Sequence, residues 1–313
     1  MGISRKTKIY LAGHRGFLGT AIYDCLKEND FENVITFTRK ELDLSNTIDT
    51  LHKLSESEPE IILNAAGMTG GVIFNQKNPA SLALQNLLLQ NSIFFSATKI
   101  PSISRVIYFG SSCMYPRSQN TPMNEELLFR GQLEPTSFAY AMAKLSGVSV
   151  GEAINKELNN CSVTSIIPSG VYGPGDNFDL KSSHVVAALI KKFSIAKDEN
   201  IPEVTLFGDG SPVRQFLFIK DLAKFIVYCL DNFQSSKGIF NVGNEKGVSI
   251  AELAQLIKNE VNYKGEVLWD TSKPNGAPYK VLDTGKCLNL GWSPSTSFPE
   301  GLRETVSFFS SLK

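Results

Sequence analysis

The sequence predicts an α/β protein built on a doubly wound parallel sheet. In the first half of the chain, short apolar runs of strand length alternate with longer stretches of helical pattern, which is the order that produces βαβ units. A loop with regularly spaced glycines joins the first predicted strand to the first predicted helix, where such sheets bind a phosphate group. Because crossovers between parallel strands are right-handed, helices are expected on both faces of the sheet.

Nine elements are predicted before residue 200. The strands cover 8–12, 34–37, 61–63, 106–109 and 163–167, and the helices cover 17–28, 79–99, 137–159 and 185–195. Pro79 suits a helix start, because its missing N–H is not needed there. Turn residues gather at 173–177 and 208–212, so the chain is expected to leave the sheet near 173 and to return before 245. We therefore predict a first domain of residues 1–172 with 213–244, and a smaller α/β domain of residues 173–212 and 245–313.

Composition excludes several classes of protein. Among the 313 residues, Lys+Arg and Asp+Glu each total 31, so no global field attracts nucleic acid or an anionic membrane. No apolar run approaches the roughly 20 residues that span a bilayer. The five cysteines lack paired spacing, which argues against a disulfide framework and against a zinc site. We expect a cytoplasmic chain that binds no nucleic acid, no membrane and no metal.

The glycine loop predicts a dinucleotide site. Glycines in GxxGxxG spacing let the backbone approach a pyrophosphate, and the following helix supplies free N–H groups. The second strand is followed by Arg39 and lacks the acid that NAD enzymes place at its end for the ribose. Since a guanidinium suits a 2′-phosphate, NADP(H) is predicted. Two solvated surface arginines are the alternative. Asp43 either lies near the adenine or begins the next helix. The candidate cofactor residues are Gly13, Arg15, Gly16, Phe17, Leu18, Gly19, Arg39, Asp43 and Lys144.

Three residues have the order that hydride-transfer chemistry needs. Ser111 follows the strand at 106–109, and the carboxyl end of a parallel strand faces the ligand crevice. Tyr140 and Lys144 are four residues apart in a predicted helix and share one face. An ammonium next to a phenol is expected to lower the phenol pKa from near 10 toward neutrality. Tyr140 would then protonate a carbonyl oxygen that Ser111 holds. The alternative is an ordinary amphipathic helix face.

Several motifs together resemble those of the GDP-L-fucose synthase family of extended short-chain dehydrogenases/reductases. The resemblance runs from about Lys8 to about Phe308. It is carried by the segments GHRGFLG (13–19), GSSCMYP (110–116), EPTSFAYAMAK (134–144), YGPGDNF (172–178), SSHV (182–185) and RQFLFIKD (214–221).

The resemblance implies a Rossmann domain and a bifunctional enzyme. The family epimerises GDP-4-keto-6-deoxy-D-mannose at C3 and C5 and reduces C4 with NADPH to give GDP-L-fucose. At the matching positions Cys113 and His184 would act as base and acid in epimerisation. Lys192, Arg214 and Lys280 match basic residues of the nucleotide-sugar site. A thiolate near cations is a reasonable base, although a cysteine is often only a small buried apolar residue.

The chain departs from the family pattern around the sugar and the phosphates. Gly170 replaces an asparagine, Thr69 replaces an aliphatic residue, and Tyr279 replaces an arginine. These changes leave open a C4-reductase that acts on another GDP-linked keto-sugar, such as a heptose or a dideoxy sugar. A regulatory protein with an inactive reductase fold is a further alternative, which the retained Tyr140 and Lys144 disfavour. A homodimer is expected through the long helices at 79–99 and 137–159.

Overall fold

The computed structural model describes residues 2–273 and 275–313, leaving Met1 and Pro274 outside the described residues. The described residues form thirteen strands: β1 Ile9–Ala12, β2 Val34–Ile35, β3 Ile61–Asn64, β4 Arg105–Phe109, β5 Ser162–Pro168, β6 Gly170–Tyr172, β7 Glu203–Phe207, β8 Val213–Arg214, β9 Phe216–Phe218, β10 Gly238–Val242, β11 Val248–Ser249, β12 Glu266–Asp270 and β13 Tyr279–Lys280. The α-helices are α1 Phe17–Glu28, α2 Thr47–Ser57, α3 Val72–Lys77, α4 Pro79–Lys99, α5 Phe138–Glu157, α6 Val185–Asp198, α7 Ile219–Asp231, α8 Ile250–Val261, α9 Gly285–Asn289 and α10 Phe298–Ser311. Short 3-10 turns lie at 112–114, 125–127 and 135–137.

The central sheet has six strands in the order β10-β5-β4-β3-β1-β2, and every neighbouring pair is parallel. The chain runs from β1 outward to β2 and then crosses to β3 on the other side of β1. This reversal opens a crevice above the carboxyl ends of β1 and β3, which is where ligands bind in open α/β sheets. The predicted doubly wound parallel sheet is confirmed.

Successive side chains along each central strand point to opposite faces of the sheet, so the apolar core is divided into two layers. Ile9 and Leu11 of β1 pack with α1 and α7, whereas Tyr10 packs on the opposite face with α4 and α5. Each of these side chains is almost completely removed from water. Because residues i and i+2 of a strand share one face, a buried four-residue strand supplies side chains to both layers.

A third apolar cluster lies in the C-terminal half of the chain. It is built around α6, α8 and α10, with Phe193 and Leu253 fully buried in it. β7 and β12 form a parallel pair, and β8 lies between β11 and β13 in a three-stranded sheet. β10 returns to the edge of the central sheet beside β5. The division into two domains stays a prediction.

Local signals explain where the predicted elements end. α1 and α4 have the predicted bounds, whereas β2 stops at Ile35 instead of residue 37. α2 was not predicted, although Asn46 caps it by accepting from the backbone N–H groups of Ile48 and Asp49 at 3.1 and 3.2 Å.

Within residues 2–273 and 275–313, no helix combines the length and the apolar content needed to cross a bilayer.

Candidate active site

The loop between β1 and α1 forms a cradle that requires glycine. Gly13 has φ +79°, a left-handed conformation, and a Cβ there would lie 2.7 Å from the backbone nitrogen of Ala66. A Cβ on Gly19 would overlap the carbonyl oxygen of Gly13. α1 begins at Phe17, and no side chain caps it at Gly16. Its first N–H groups are therefore available to an anion, and the cradle fits the pyrophosphate of a dinucleotide.

Two guanidinium groups border this cradle. Arg15 is exposed in the glycine loop, and Arg39 is exposed after β2 with its Nε 3.4 Å from Asp43 Oδ2. Asp43 also accepts from the N–H and hydroxyl of Ser45, at 3.0 and 2.8 Å. Glu41, the first acid after β2, accepts the N–H of Thr38 at 2.7 Å. Both acids thus stabilise local turns, while the guanidinium groups face water and fit a ribose 2′-phosphate.

Ser111 and the α5 residues Tyr140 and Lys144 meet where β4 ends. Ser111 begins the 3-10 turn at 112–114 and accepts the N–H of Cys113 at 3.3 Å. Tyr140 and Lys144 are both buried. Lys144 Nζ donates to the carbonyl oxygen of Phe109 at 2.9 Å, which fixes α5 against the end of β4. Burial lowers the pKa of Lys144 to about 8.

The expected lowering of the Tyr140 pKa by Lys144 is not found. Burial, the largest cause, and the neighbouring Cys113 raise the pKa of Tyr140 to about 12, against the lowering effect of the hydroxyl groups of Thr69 and Ser111. The prediction was wrong because removal from water outweighs the favourable contacts, and the Lys144 ammonium is not among the groups that shift the Tyr140 pKa. In this structure Tyr140 is a neutral phenol, which is the form that donates a proton.

A buried asparagine that the sequence motifs do not single out shapes this site. Asn86 of α4 donates to the carbonyl oxygens of Met68 and Leu82 at 2.9 and 2.7 Å, and it accepts the N–H of Met68 at 3.2 Å. It thereby holds the loop after β3 beside Lys144, because a Cβ on Gly67 would lie 3.6 Å from Lys144 Nζ. The only signal in the sequence was an amide within an apolar helix. The same loop brings Thr69 to the hydroxyl of Tyr140.

Cys113 lies in an environment that favours a thiolate. Burial alone would raise the pKa of its thiol, but the charge of Lys280, the hydroxyl groups of Ser111 and Ser137, and the charge of Arg214 together lower it. Burial raises the pKa of each of the other four thiols, at Cys25, Cys161, Cys229 and Cys287. Cys113 is therefore the cysteine whose surroundings best suit a nucleophile or a base.

The backbone explains why two cations meet at Cys113. β8 and β13 are parallel with Arg214 opposite Lys280, so both side chains leave the small sheet on the same side. Burial lowers the pKa of Arg214, while Cys113 and Glu134 raise it. Lys192 lies elsewhere on α6, half-buried, with its ammonium 5.4 Å from the ring centroid of Phe207.

His184 lies at the start of α6 without capping it. Its segment contacts the loop after β3, because the N–H of Gly71 donates to the carbonyl oxygen of Ser182 at 2.9 Å. The imidazole reaches solvent, yet the protein around it lowers its pKa through burial. His184 is therefore neutral near pH 7, a form that can both accept and donate a proton.

A cavity of about 350 Å³ opens beside these groups. Its walls are α3, the 3-10 turn at 135–137 and the start of α5, including Asn75, Ser137 and Tyr140. A Cβ on Gly170 would lie 3.1 Å from the carbonyl oxygen of Gln215 and equally close to the ring of Phe216. Gly170 thus lies where the backbone leaves little room for a side chain.

Comparisons with known proteins agree with this geometry. The model of the NAD dependent epimerase/dehydratase family matches residues 9–243. The chain is 37% identical to GDP-L-fucose synthase 1 of Arabidopsis thaliana, over 97% of this chain and 94% of that protein. Among solved structures, a GDP-6-OMe-4-keto-L-xylo-heptose reductase from C. jejuni has a TM-score of 0.92 at 28% identity, with full coverage of both chains. A GDP-L-fucose synthetase from Naegleria fowleri bound to NADP has a TM-score of 0.88 at 27% identity, over 99% of this chain and 96% of that one.

Proposed function

We propose that this chain, which belongs to the NAD dependent epimerase/dehydratase family and to its GDP-L-fucose synthase branch, is an NADPH-dependent 3,5-epimerase and 4-reductase of a GDP-linked keto-sugar. The substrate is GDP-4-keto-6-deoxy-D-mannose and the product is GDP-L-fucose. One observation carries this proposal: a thiol with a lowered pKa and a neutral buried phenol share one site beside a dinucleotide cradle.

The cofactor site has the composition that NADPH requires. When bound, NADPH supplies the hydride that reduces the C4 ketone. The glycine cradle and the start of α1 bind the pyrophosphate, and Arg39 and Arg15 recognise the 2′-phosphate. Lys144, held by the carbonyl oxygen of Phe109, presents its ammonium at the carboxyl edge of the sheet. The relative from Naegleria fowleri was solved with NADP bound, which supports the same choice here.

Reduction uses Ser111 and Tyr140. Ser111 donates a hydrogen bond to the C4 carbonyl oxygen, and Tyr140 transfers its phenolic proton to that oxygen as C4 is reduced. The resulting phenolate recovers a proton from water. Because the pKa of Tyr140 is not below that of a free phenol, Tyr140 is protonated before the reaction. Negative charge that develops on the C4 oxygen during hydride transfer then makes proton transfer from Tyr140 favourable.

Epimerisation uses Cys113 and His184. The Cys113 thiolate removes the proton from a carbon next to the C4 ketone, and the electron pair of that C–H bond moves into an enolate on the C4 oxygen. Ser111 and Tyr140 stabilise this oxyanion by hydrogen bonding. His184 delivers a proton to the opposite face of the carbon, which inverts it. Arg214 and Lys280 bind the diphosphate, since two cations leave the small sheet on one side. Lys192 is a further phosphate-binding candidate.

An exposed apolar face supports a homodimer. Leu82, Ile93 and Phe94 of α4 are buried inside the protein, whereas Leu84 and Phe95 on the same helix are exposed, at 59% and 41%. α5 adds three further exposed apolar side chains, Phe138, Met142 and Val150. Two copies that pair these helices around an axis would bury this face. A Leu84→Glu variant should shift the mass in solution from dimer to monomer, and a monomeric wild type at micromolar concentration would contradict the proposal.

The five cysteines are all free thiols, which supports a reducing, cytoplasmic compartment. The zero net charge supports a small-molecule substrate and no nucleic-acid partner.

Product analysis in deuterated water tests the activity. Purified protein is mixed with NADPH and GDP-4-keto-6-deoxy-D-mannose, nicotinamide absorbance is followed, and the sugar is identified by NMR. GDP-fucose carrying deuterium at C3 and C5 is the expected product. NADPH consumption without deuterium at either carbon would leave only a 4-reductase and would remove Cys113 and His184 from the mechanism.

The second candidate is a C4-reductase for another GDP-linked keto-sugar. Gly170 favours it, because an asparagine side chain is absent and the surrounding backbone leaves little space for one. The structural relative from C. jejuni is a reductase of a GDP-keto-heptose. Turnover of a GDP-4-keto-heptose without turnover of the 6-deoxy sugar would select this candidate.

A further inference from the structure

We propose that Asn241 is a positioning residue that sets the spacing between the turn of Cys113 and the segment of Lys280, because its side-chain amide holds both. The purpose of this spacing rests on the proposed epimerase function, whereas the hydrogen bonds that define it do not. Asn241 lies on β10, at the edge of the central sheet, and is fully buried.

The amide of Asn241 joins three separate segments of the chain. Its Oδ1 accepts a hydrogen bond from the hydroxyl of Tyr115 at 2.6 Å. Its Nδ2 donates to the carbonyl oxygens of Met123 and Asp283, at 2.9 and 3.0 Å. A primary amide has one oxygen and two N–H groups, so one orientation of the side chain makes all three bonds. The amide is satisfied only while the three segments keep this arrangement.

The main chain of Asn241 is bonded as well. Its N–H donates to Glu125 Oε1 at 2.9 Å, and its carbonyl oxygen accepts from Cys287 Sγ at 3.0 Å. An apolar side chain would fill the same buried position without the cost of removing an amide from water. A fully satisfied buried network instead selects one arrangement of the segments that it connects. The bonding of Asn241 therefore serves position as well as stability.

On one side the network reaches the cysteine of the site. Tyr115 directly follows the 3-10 turn that contains Cys113, and its side chain is almost completely buried. Met114, the single residue between the two, is also fully buried. A displacement of the Tyr115 hydroxyl is therefore transmitted to the sulfur through a short and tightly packed piece of chain.

On the other side the network reaches the proposed diphosphate site. Lys280 ends β13, a strand of only two residues. The chain after it is fixed to Met123, whose N–H donates to the carbonyl oxygen of Val281 and whose carbonyl oxygen accepts the N–H of Asp283, each at 2.9 Å. Asn241 bonds the same Met123 oxygen and the Asp283 oxygen. The two sides of the site thus meet at Asn241.

The spacing matters for epimerisation. Burial opposes ionisation of the Cys113 thiol, and Lys280 is foremost among the groups that lower its pKa. In the proposed reaction Lys280 also binds the substrate diphosphate, so its distance from the sulfur decides where the sugar carbons stand relative to the base. Misplacement of reacting groups by about 1 Å costs about 100-fold in rate.

Two variants cut the network on opposite sides. Tyr115→Phe keeps the ring and removes the bond on the side of Cys113. Asn241→Asp keeps an acceptor for Tyr115 and loses the donor to Met123 and Asp283. We expect deuterium exchange at C3 and C5 of GDP-4-keto-6-deoxy-D-mannose to slow by about tenfold or more in both variants. NADPH affinity should stay at the wild-type value, because the glycine cradle lies on β1 and α1.

Tyr263→Phe is the matched control. Tyr263 is 4% exposed, and its hydroxyl donates to the carbonyl oxygen of Ile201 at 2.9 Å, so the variant also loses one buried hydrogen bond. Urea unfolding should show a similar loss of stability in Tyr263→Phe and Tyr115→Phe. Exchange should remain at the wild-type rate in Tyr263→Phe.

Thiol titration supplies a readout that needs no substrate. A charge that retreats from about 5 to about 6 Å loses about 0.4 pKa unit of influence at an effective dielectric constant of about 20. The midpoint of Cys113 alkylation by iodoacetamide should therefore rise by about that amount in Tyr115→Phe. The other four cysteines are buried, and Cys113→Ser supplies the background rate.

Exchange decides the proposal wherever the wild type performs it. Wild-type exchange in folded Tyr115→Phe overturns it, as does an equal loss in Tyr263→Phe, and slower exchange in Tyr115→Phe alone supports it. Should Asn241→Asp fail to fold, Tyr115→Phe decides. Absence of exchange in the wild type would refute the epimerase function, and the alkylation midpoint would then decide the role of Asn241: a rise supports it, and an unchanged midpoint overturns it.

Discussion

Asp176 predicts an unusual dependence of stability on pH. It lies in the turn after β6, is 9% exposed, and its Oδ2 has no hydrogen-bond partner within the described residues. Burial raises its pKa from 3.8 to about 7, although the N–H of Asn177 partly opposes this by donating to Oδ1 at 2.7 Å. At neutral pH and above, the folded protein therefore holds a buried carboxylate with one free oxygen.

The sign and the size of the effect follow from these two pKa values. Between them the folded state retains a proton that the unfolded state has lost, so stability falls as pH rises from about 4 to about 7. One unit corresponds to about 1.4 kcal/mol, which gives a total loss of about 4 kcal/mol and about 3 kcal/mol between pH 5 and pH 8. Asp176→Asn removes the charge and keeps an oxygen for the Asn177 N–H. The free energy of unfolding of the variant should therefore rise relative to that of wild type by this amount as pH increases.

Urea unfolding at pH 5 and pH 8 measures this difference. Wild type and Asp176→Asn are compared at each pH, so that the titration of all other groups cancels. Asp179→Asn is the matched control, because Asp179 is exposed in the same segment and the Ser182 hydroxyl lowers its pKa. A difference in unfolding free energy between wild type and Asp176→Asn that is the same at both pH values would refute the reasoning.

Four further predictions test the site and the fold. Gly19→Ala should weaken NADPH binding about tenfold or more in calorimetry, because its Cβ would overlap the carbonyl oxygen of Gly13; unchanged affinity would contradict the cradle. Arg39→Ala should weaken NADPH binding by about 10- to 100-fold and leave NADH binding unchanged, and equal losses would argue against 2′-phosphate recognition. Since Lys144 loses its proton above about pH 8, stopped-flow hydride transfer should slow as pH rises through that value, and a flat profile from about pH 7 to about pH 9 would exclude a role for its ammonium. Asp221 is buried and accepts from the Thr296 backbone at 2.9 Å, so Asp221→Ala should cost about 3 kcal/mol in unfolding free energy while the folded fraction keeps its kcat; lost kcat without lost stability would overturn this structural role.

The elements that the sequence predicts well are those whose signals are local. α1 and α4 have the predicted bounds because their signals lie within or next to the helices themselves. Gly16 precedes α1, Pro79 begins α4, and apolar residues recur along both. β2 is shorter than predicted because its apolar run continues past the point where pairing with β1 ends. α3 was missed since it has only six residues, too few to show a helical period.

In the active site, residue spacing predicts which side chains share a helix face, but it does not predict the contacts between distant segments. Spacing alone places Tyr140 and Lys144 on one helix face. It cannot show how deeply the Tyr140 hydroxyl is buried or that Cys113 lies beside it, which is why the direction of the Tyr140 pKa was predicted wrongly. Thr69 contributes through a loop that Asn86 fixes from α4, and neither contact has a signature in sequence.

The charge relation between Cys113 and Tyr140 links the two halves of the proposed reaction. Cys113 lies close enough to affect Tyr140, and the negative sulfur is a cause of the raised pKa of Tyr140. Two neighbouring anions in a buried site repel, so ionisation of one favours protonation of the other. While Cys113 is a thiolate and ready to remove a proton, Tyr140 is held as a phenol. Once Cys113 has taken the proton from carbon, that repulsion disappears and the Tyr140 pKa falls, which makes the phenol a stronger acid toward the C4 oxygen. Proton removal by one residue thus prepares proton donation by the other, and the arrangement favours epimerisation before reduction.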